Sequence, residues 1–425
     1  MPKILLLFCL LITTTTFAYA ELPRRAAAGI AVEADEGTVI VREAFPNSAA
    51  AEAGLRRGDV ILSLHGEPVA TTFDVTSRFG KRKAGEKVRV EFVRANEKQV
   101  AVITMKEWPR ETSEVYDVTY GEVTADGNRY RTLETKPKAM AVKGTVFLVQ
   151  GVGCAPVDNP PPGHSYRALI ESLSRRGYAT LRVDKPGVGD SQGGPCVTAD
   201  FATEVNAYRA ALASVADRKN VFLFGHSMGG IMAPLIAGAH PSLRGIIAYG
   251  TTYRSWNQYT LDNYRRQARM GGDSYESIAE EERRLERFNA LFFVQKVPLE
   301  KIVADHPEFR ERFPDGTFAG GKAGKYFQQM YDAELVKAWK ATSVPVLAVW
   351  GASDFLTDGS EHELLAKAVN SWRPGTATYV KLEGIDHWLR RAPDQASSLE
   401  QGPAGGAYSD ALAERMVAFA EGSLR

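Results

Sequence analysis

The chain has 425 residues, a formal net charge of +1, 44% hydrophobic and 24% charged residues, and three cysteines. This is globular composition: it excludes a disordered tail protein, a collagen-like repeat and a disulfide-dense mini-scaffold, and the length predicts two or three domains. With 52 basic against 51 acidic residues there is no electrostatic reason to expect a polyanionic partner, so no nucleic-acid ligand is expected.

The first twenty residues read as a cleavable leader. Lys3 precedes an apolar run over residues 4–12, and Ala18-Tyr19-Ala20 supplies a small-x-small pattern that places the cut after Ala20 and the mature start at Glu21. The apolar run is shorter than the roughly 20 residues a membrane helix needs. No later segment comes close, so the mature chain is expected without a membrane span, in a periplasmic or secreted location. Without Lys3 the basic count equals the acidic count of 51, and without Cys9 only Cys154 and Cys196 remain.

Residues 26–106 alternate short strands with glycine turns. Strands are predicted at 37–41, 60–64, 87–94 and 98–105, the last two as a hairpin across Ala95-Asn96, with one helical turn at 48–53 and one helix at 72–81. The run from Ser48 through Gly54-Leu55 and Gly58-Asp59-Val60-Ile61 to His65-Gly66 resembles the PDZ domains of exported bacterial proteases. That resemblance implies a loop, Ala28-Gly29-Ile30-Ala31, whose N–H groups meet the C-terminal carboxylate of a peptide that then adds to the sheet edge. A spacer or docking module without a free-peptide ligand is the alternative reading.

The stretch 107–113 separates this unit from residues 114–425, where strand and helix signals alternate. Strands are predicted at 116–120, 130–134, 145–149, 179–183, 220–224, 246–249, 345–350 and 378–381, and helices at 165–176, 202–215, 228–239, 331–341, 361–369 and 408–421. Such alternation means a mostly parallel α/β sheet, and the first two strands, with no helix between them, imply an antiparallel start.

The chemistry centres on Gly225-His226-Ser227-Met228-Gly229, a G-x-S-x-G turn between a predicted strand and a predicted helix, which would expose the hydroxyl of Ser227 above the sheet. A serine hydroxyl needs a base, and the base needs a carboxylate to fix its tautomer. Of seven histidines, only His362 and His387 follow the last long strand pair. His362, beside Glu361 and Glu363, reads as a solvated helix face, whereas His387 lies in the loop after the final strand and can reach back over the sheet. Asp354 follows the preceding strand by four residues and is the expected carboxylate; Asp358 competes for the role, and Asp386 reads as a local turn residue. The order Ser227, Asp354, His387 resembles the α/β-hydrolases and departs from the trypsin-like order that a PDZ-bearing periplasmic protease would suggest. The fold expected is therefore α/β: an eight-stranded α/β-hydrolase sheet with a helical cap, plus a small mainly-β PDZ-like domain. The resemblance implies an oxyanion hole from the backbone N–H groups of Met228 and Val152, the latter in Gln150-Gly151-Val152-Gly153. It also implies that the turn containing Asp184-Lys185-Pro186-Gly187 shapes the site without reacting. Cys154 and Cys196 follow two adjacent strands on the nucleophile's edge of the sheet, so a disulfide is expected in an oxidising compartment.

Other motifs fail: residues 151–156 lack the third glycine of a dinucleotide fold, residues 320–325 lack phosphate-loop spacing, and no metal-ligand pattern exists, so no cofactor and no metal are implied. Residues 252–330 leave the alternation, as insertions at this point do in α/β-hydrolases, and carry Trp256, Tyr259, Tyr264, Phe288, Phe292, Phe293, Phe313, Tyr326 and Phe327. They form either an apolar acyl or aryl pocket or the cap's own core. The leading reading is a serine hydrolase cleaving carboxylic esters; a serine peptidase or aminoacyl amide hydrolase and a catalytically silent peptide-binding protein are the alternatives.

Overall fold

The computed structural model describes residues 21–313 and 318–423. The leader expected at residues 1–20 lies outside the described residues. Two main sheets account for most of the strands.

The larger sheet has eight strands: β1 (Tyr116–Ala125), β2 (Asn128–Pro137), β3 (Gly144–Val149), β4 (Tyr178–Val183), β5 (Val221–His226), β6 (Leu243–Tyr249), β7 (Val346–Gly351) and β8 (Ala377–Leu382). Their order across the sheet is β8-β7-β6-β5-β3-β4-β2-β1. β1 and β2 pair antiparallel with each other, and β2 pairs antiparallel with β4; every pair from β4 to β8 is parallel. All eight strands expected from the sequence are present. Buried parallel strands carry apolar side chains on both faces, as β5 shows: Phe222 and Phe224 pack with Leu169, Leu173 and Met416, while Val221 and Leu223 pack with Val205, Leu212 and Ile231. The helices Ser165–Arg175 and Ala411–Ser423 thus cover one face, and Phe201–Ala213, Met228–Ile236 and Gly359–Trp372 the other.

One expected helix differs. The segment 331–341 is two helices, Gly324–Asp332 and Leu335–Ala341, separated at Ala333, which is extended with ψ 128°. The break lets Tyr331 pack on Phe293 in the cap, with ring centroids 5.2 Å apart, while Trp339 is buried on the sheet side. A single straight helix could not serve both.

The smaller sheet runs Ile30–Asp35, Thr38–Ala44, Val60–Leu64, Lys87–Arg94 and Glu97–Thr104, with Glu67–Pro68 added to the third strand. Its helix Thr72–Gly80 opens with a capping box between Thr71 and Asp74, and Val39, Val41, Ile61, Val90, Phe92 and Ile103 form the core. Ala95 and Asn96 both have positive φ, which fits the two-residue hairpin predicted there.

The two ends of this domain meet in a separate antiparallel pair, Ala26–Ala27 with Lys106–Glu107, in which Ala27 lies opposite Lys106. Ahead of it, residues 21–25 dock on the hydrolase sheet. The Arg24 guanidinium is buried and bonds both Asp158 and Asp190, the latter at 2.9 Å, and the Arg25 N–H donates to Asp190 Oδ1 at 2.7 Å. The Arg25 side chain stacks 3.8 Å over the ring of Trp108.

Candidate active site

β5 ends at His226 and the helix Met228–Ile236 begins two residues later, so the whole reversal falls on Ser227. Its φ of 55° and ψ of −121° are unfavourable for a residue with a Cβ, which marks a turn held by its surroundings. The surroundings are glycines packed to contact: a Cβ on Gly225 would sit 2.4 Å from the Gly229 carbonyl oxygen, and one on Gly229 would sit 2.1 Å from the Val149 carbonyl oxygen. This close approach brings the start of the helix against the end of β3. The Gly151 backbone passes so near that an added Cβ would be 3.3 Å from Ser227 Cβ.

His387 Nδ1 lies 2.8 Å from Asp354 Oδ2, and both side chains are buried. Asp354 also accepts from the N–H groups of Leu356 and Thr357 and, at 2.6 Å, from the Thr357 hydroxyl. Burial favours the neutral form of Asp354, but the electrostatic influence of the facing His387 ring and the hydrogen bonds from His387 and Thr357 outweigh it and hold the carboxyl below its ordinary range. An ionised Asp354 accepts the Nδ1 proton, leaving His387 Nε2 as the free ring nitrogen.

His226 forms a second, fully determined chain. Its Nε2 lies 2.9 Å from the His387 carbonyl oxygen, which can only accept, so Nε2 carries the proton. Its Nδ1 is then bare and accepts from the Tyr166 hydroxyl at 2.6 Å, whose oxygen accepts from the Gly151 N–H at 3.4 Å. Burial, aided by the neighbouring His387 ring, pushes His226 down to about 3 and keeps it neutral.

Ser227, His387, Val152 and Met228 line one cavity of about 870 Å³. Of the aromatic residues singled out in the cap, Trp256, Tyr259, Phe288, Phe293, Phe313 and Phe327 also line it. Tyr264, Phe292 and Tyr326 do not; Phe292 stacks on Phe288 and Tyr326 packs on Phe201, within the cap and its seam with the core. Six of the nine aromatic residues thus face the cavity, and three do not. Among the described residues no aspartate or glutamate side chain lines the cavity, and its arginines are Arg312 and Arg390.

Cys154 and Cys196 are joined in a disulfide that ties the loop after β3 to the loop after β4. Asp358 caps the helix Gly359–Trp372 by accepting the Ser360 N–H, and Asp386 accepts from the Trp388 and Arg390 N–H groups as a turn residue. The solvated face expected at His362 is a correction: His362 has no exposed surface, and its Nε2 accepts the Thr251 N–H at 3.0 Å. The adjacent Glu361 is buried too and accepts from the N–H groups of Tyr253 and Arg254 and from the Thr252 hydroxyl. The chain entering the cap carries buried donors that require these acceptors. Thr357, Tyr166 and the Glu361–His362 pair are site residues that sequence reasoning missed; the Asp354-x-x-Thr357 spacing was the one local signal available.

In the smaller domain, Gly29 has a φ of 69° and a Cβ there would lie 2.3 Å from Ser48 Cβ, so the loop Ala28-Gly29 requires glycine. Ala28 is buried, while Ile30 and Ala31 begin the edge strand, paired on one side with Ala44 and Glu43. Among the described residues, the other edge of that strand carries no further strand of the sheet. No helix among the described residues is long and apolar enough to cross a membrane.

Comparison with known proteins relates two stretches of the chain to different families. The PDZ domain profile matches residues 26–105. Over 115 residues the chain is 32% identical to a probable periplasmic serine endoprotease DegP-like protein of Pseudomonas putida, a match covering 26% of this chain and 24% of that protein. Over 82 residues it is 37% identical to the periplasmic serine endoprotease DegP of Escherichia coli, covering 19% of this chain and 17% of that protein. The chain thus spans about a quarter or less of the length of these curated relatives. Among solved structures it is similar to an esterase of Pyrococcus furiosus, at 14% identity and a TM-score of 0.44 over 75% of this chain and 97% of that one. It is also similar to Est1E of Butyrivibrio proteoclasticus, solved with ferulic acid bound, at 17% identity and a TM-score of 0.44 over 72% and 98% of the two chains. The profile of the serine aminopeptidase, S33, family runs from residue 143 in the approach to β3 to His387 itself, more than half of the chain, and so this protein belongs to that family of α/β-hydrolases.

Proposed function

We propose that this hydrolase cleaves carboxylic esters through an acyl-enzyme on Ser227. In this reading Ser227 Oγ attacks the ester carbonyl and gives its proton to His387 Nε2, while Asp354 stabilises the imidazolium that forms. The N–H groups of Val152 and Met228 take the charge on the carbonyl oxygen. The alcohol leaves with the proton from His387. Water then loses a proton to His387, attacks the acyl carbon, and releases the carboxylic acid with Ser227 restored.

The composition of the cavity wall favours esters over aminoacyl amides. An aminopeptidase must hold the free α-ammonium of its substrate, and desolvating that charge without a carboxylate is costly. Here the cavity over Ser227 is walled by Trp256, Tyr259, Phe288, Phe293 and Phe327, without an aspartate or glutamate side chain among the described residues. An acyl or aryl group fits this wall. The test compares matched aryl esters and aminoacyl arylamides on wild type and Ser227→Ala. We expect the higher kcat/KM on esters and loss of turnover in the mutant; a higher value on the amides would overturn the ester assignment.

The same proposal places the protein in the periplasm or outside the cell. Its support is the leader pattern ending at Ala20, the disulfide, and the likeness of residues 26–105 to periplasmic proteases. It assigns the loop Ala28-Gly29-Ile30-Ala31 and the edge strand it opens to a peptide C-terminus, tested by titrating the full chain with C-terminal peptides and their amidated forms. Equal binding of both forms would remove the carboxylate from the recognition.

A further inference from the structure

Lys185 follows β4 in a turn that was expected only to shape the site. It has no exposed surface. Its ammonium donates to the Gly151 carbonyl oxygen and lies 2.8 Å from Glu204 Oε1. Glu204, equally buried, is 2.9 Å from Lys322 through its other oxygen. Two lysine side chains therefore share one carboxylate beside the oxyanion loop; burial pushes the Lys185 ammonium down from its ordinary range, and the Glu204 charge opposes that shift. Lys322 is satisfied elsewhere, by the Cys196 carbonyl at 2.9 Å. Lys185 alone of the two reaches Gly151.

The position of that contact matters chemically. The Gly151 C=O and the Val152 N–H belong to one planar peptide unit, so whatever orients the carbonyl orients the N–H. A hydrogen bond from a cation to the carbonyl oxygen also withdraws electron density from the amide and makes its N–H a stronger donor. The preceding peptide is held as well, its Gly151 N–H bonded to the Tyr166 hydroxyl.

We propose that Lys185 is a positioning residue that aligns and polarises the Gly151–Val152 peptide as negative charge develops on the substrate oxygen. This assignment rests on the acyl-transfer reading of Ser227 and Val152 given above. Lys185 touches no substrate atom. It acts through the peptide, and its influence grows from ground state to transition state because only the latter carries the oxyanion.

The experiment measures ester hydrolysis and inhibition by an aryl trifluoromethyl ketone, which adds to a nucleophilic serine as a tetrahedral oxyanion, in wild type, Lys185→Met and Lys185→Arg. Losing an oxyanion donor outright costs about a hundredfold to a thousandfold in kcat, and weakening one is expected to cost roughly tenfold to a hundredfold. In Lys185→Met we expect that fall in kcat, KM within about threefold of wild type, and a rise in the ketone inhibition constant parallel to the loss of kcat/KM. Lys185→Arg, which keeps a cationic donor, is expected to recover most of both. Wild-type kcat in folded Lys185→Met, or ketone affinity that stays constant while KM changes, would overturn the assignment. Should Lys185→Met not fold, Lys185→Gln carries the test: a neutral donor is expected to lower kcat by about tenfold, and wild-type kcat there overturns the proposal. Failure of the underlying reading looks different. Ser227→Ala would then turn over as fast as wild type, and wild type would form no adduct with a fluorophosphonate.

Discussion

Thr357 stands directly behind the carboxylate that holds His387, with its hydroxyl on Asp354 Oδ2 and its N–H on Oδ1. A hydrogen bond to a buried charge is worth about 1.5–3 kcal/mol, so Thr357→Val is expected to lower kcat/KM on esters by roughly tenfold or more, with Thr357→Ser close to wild type. His226 makes a prediction about stability. Its folded pKa of about 3 lies below the roughly 6.5 of an unfolded histidine, so the unfolded chain binds the extra proton between those values. Stability from this residue is complete above the unfolded value and falls as pH drops towards 3, by about 1.4 kcal/mol per pH unit within the window. Buried His362 acts in the same direction, whereas Asp184, pushed up to about 7 by burial, acts in the opposite one. The difference in melting temperature between wild type and His226→Asn isolates the one residue: the mutant is expected to lose less stability on acidification from pH 7 to 5. The positions of Ser227, Asp354 and His387 were legible because each stands in a loop just past a strand that announces itself. Glu361 and Tyr166 were not, since the atoms they serve are 107 and 60 residues away in the chain.

At the scale of elements, the turn at Ser227 depends on two backbones that approach too closely for any side chain. Gly229→Ala forces a Cβ against the Val149 carbonyl oxygen, 2.1 Å away in the native geometry. Overpacking of this kind costs about 1–3 kcal/mol, to be read from denaturant unfolding, and the accompanying shift of the helix start is expected to depress ester turnover more than the loss of stability implies. The cap is fixed at its entry by Glu361, which receives donors from Thr252, Tyr253 and Arg254. Glu361→Ala strands these buried groups and is expected to destabilise the chain by about 3 kcal/mol, again measured by denaturant unfolding. The core strands were legible because a buried parallel strand is apolar along its whole length. The split between Gly324–Asp332 and Leu335–Ala341 was not, because the helical periodicity of residues 331–341 is unbroken and the reason for the break is the separate packing of Tyr331 and Trp339.

For the molecule as a whole, the way the small domain joins the hydrolase sheet had no local signal in the sequence. The disulfide closes a loop of 42 residues, for which chain entropy predicts a contribution of about 4 kcal/mol. Reduction is expected to lower the denaturation midpoint accordingly, and a Cys154→Ser, Cys196→Ser variant should show the lower midpoint without responding to reductant. The joining itself lies in the short ladder where Ala27 faces Lys106, with Arg24 buried upstream between Asp158 and Asp190. Because entry and exit sit side by side, the PDZ domain is a cassette spliced into the hydrolase through a single doorway. Replacing residues 28–105 by a two-residue turn should leave a folded, fully active hydrolase, whereas trimming away residues 21–25 should not, because without Arg24 the buried Asp158 loses its cationic partner, while Asp190 keeps only Arg131. The doorway could therefore accept other small domains whose termini lie a hairpin apart, and recognition could be exchanged without retuning the chemistry.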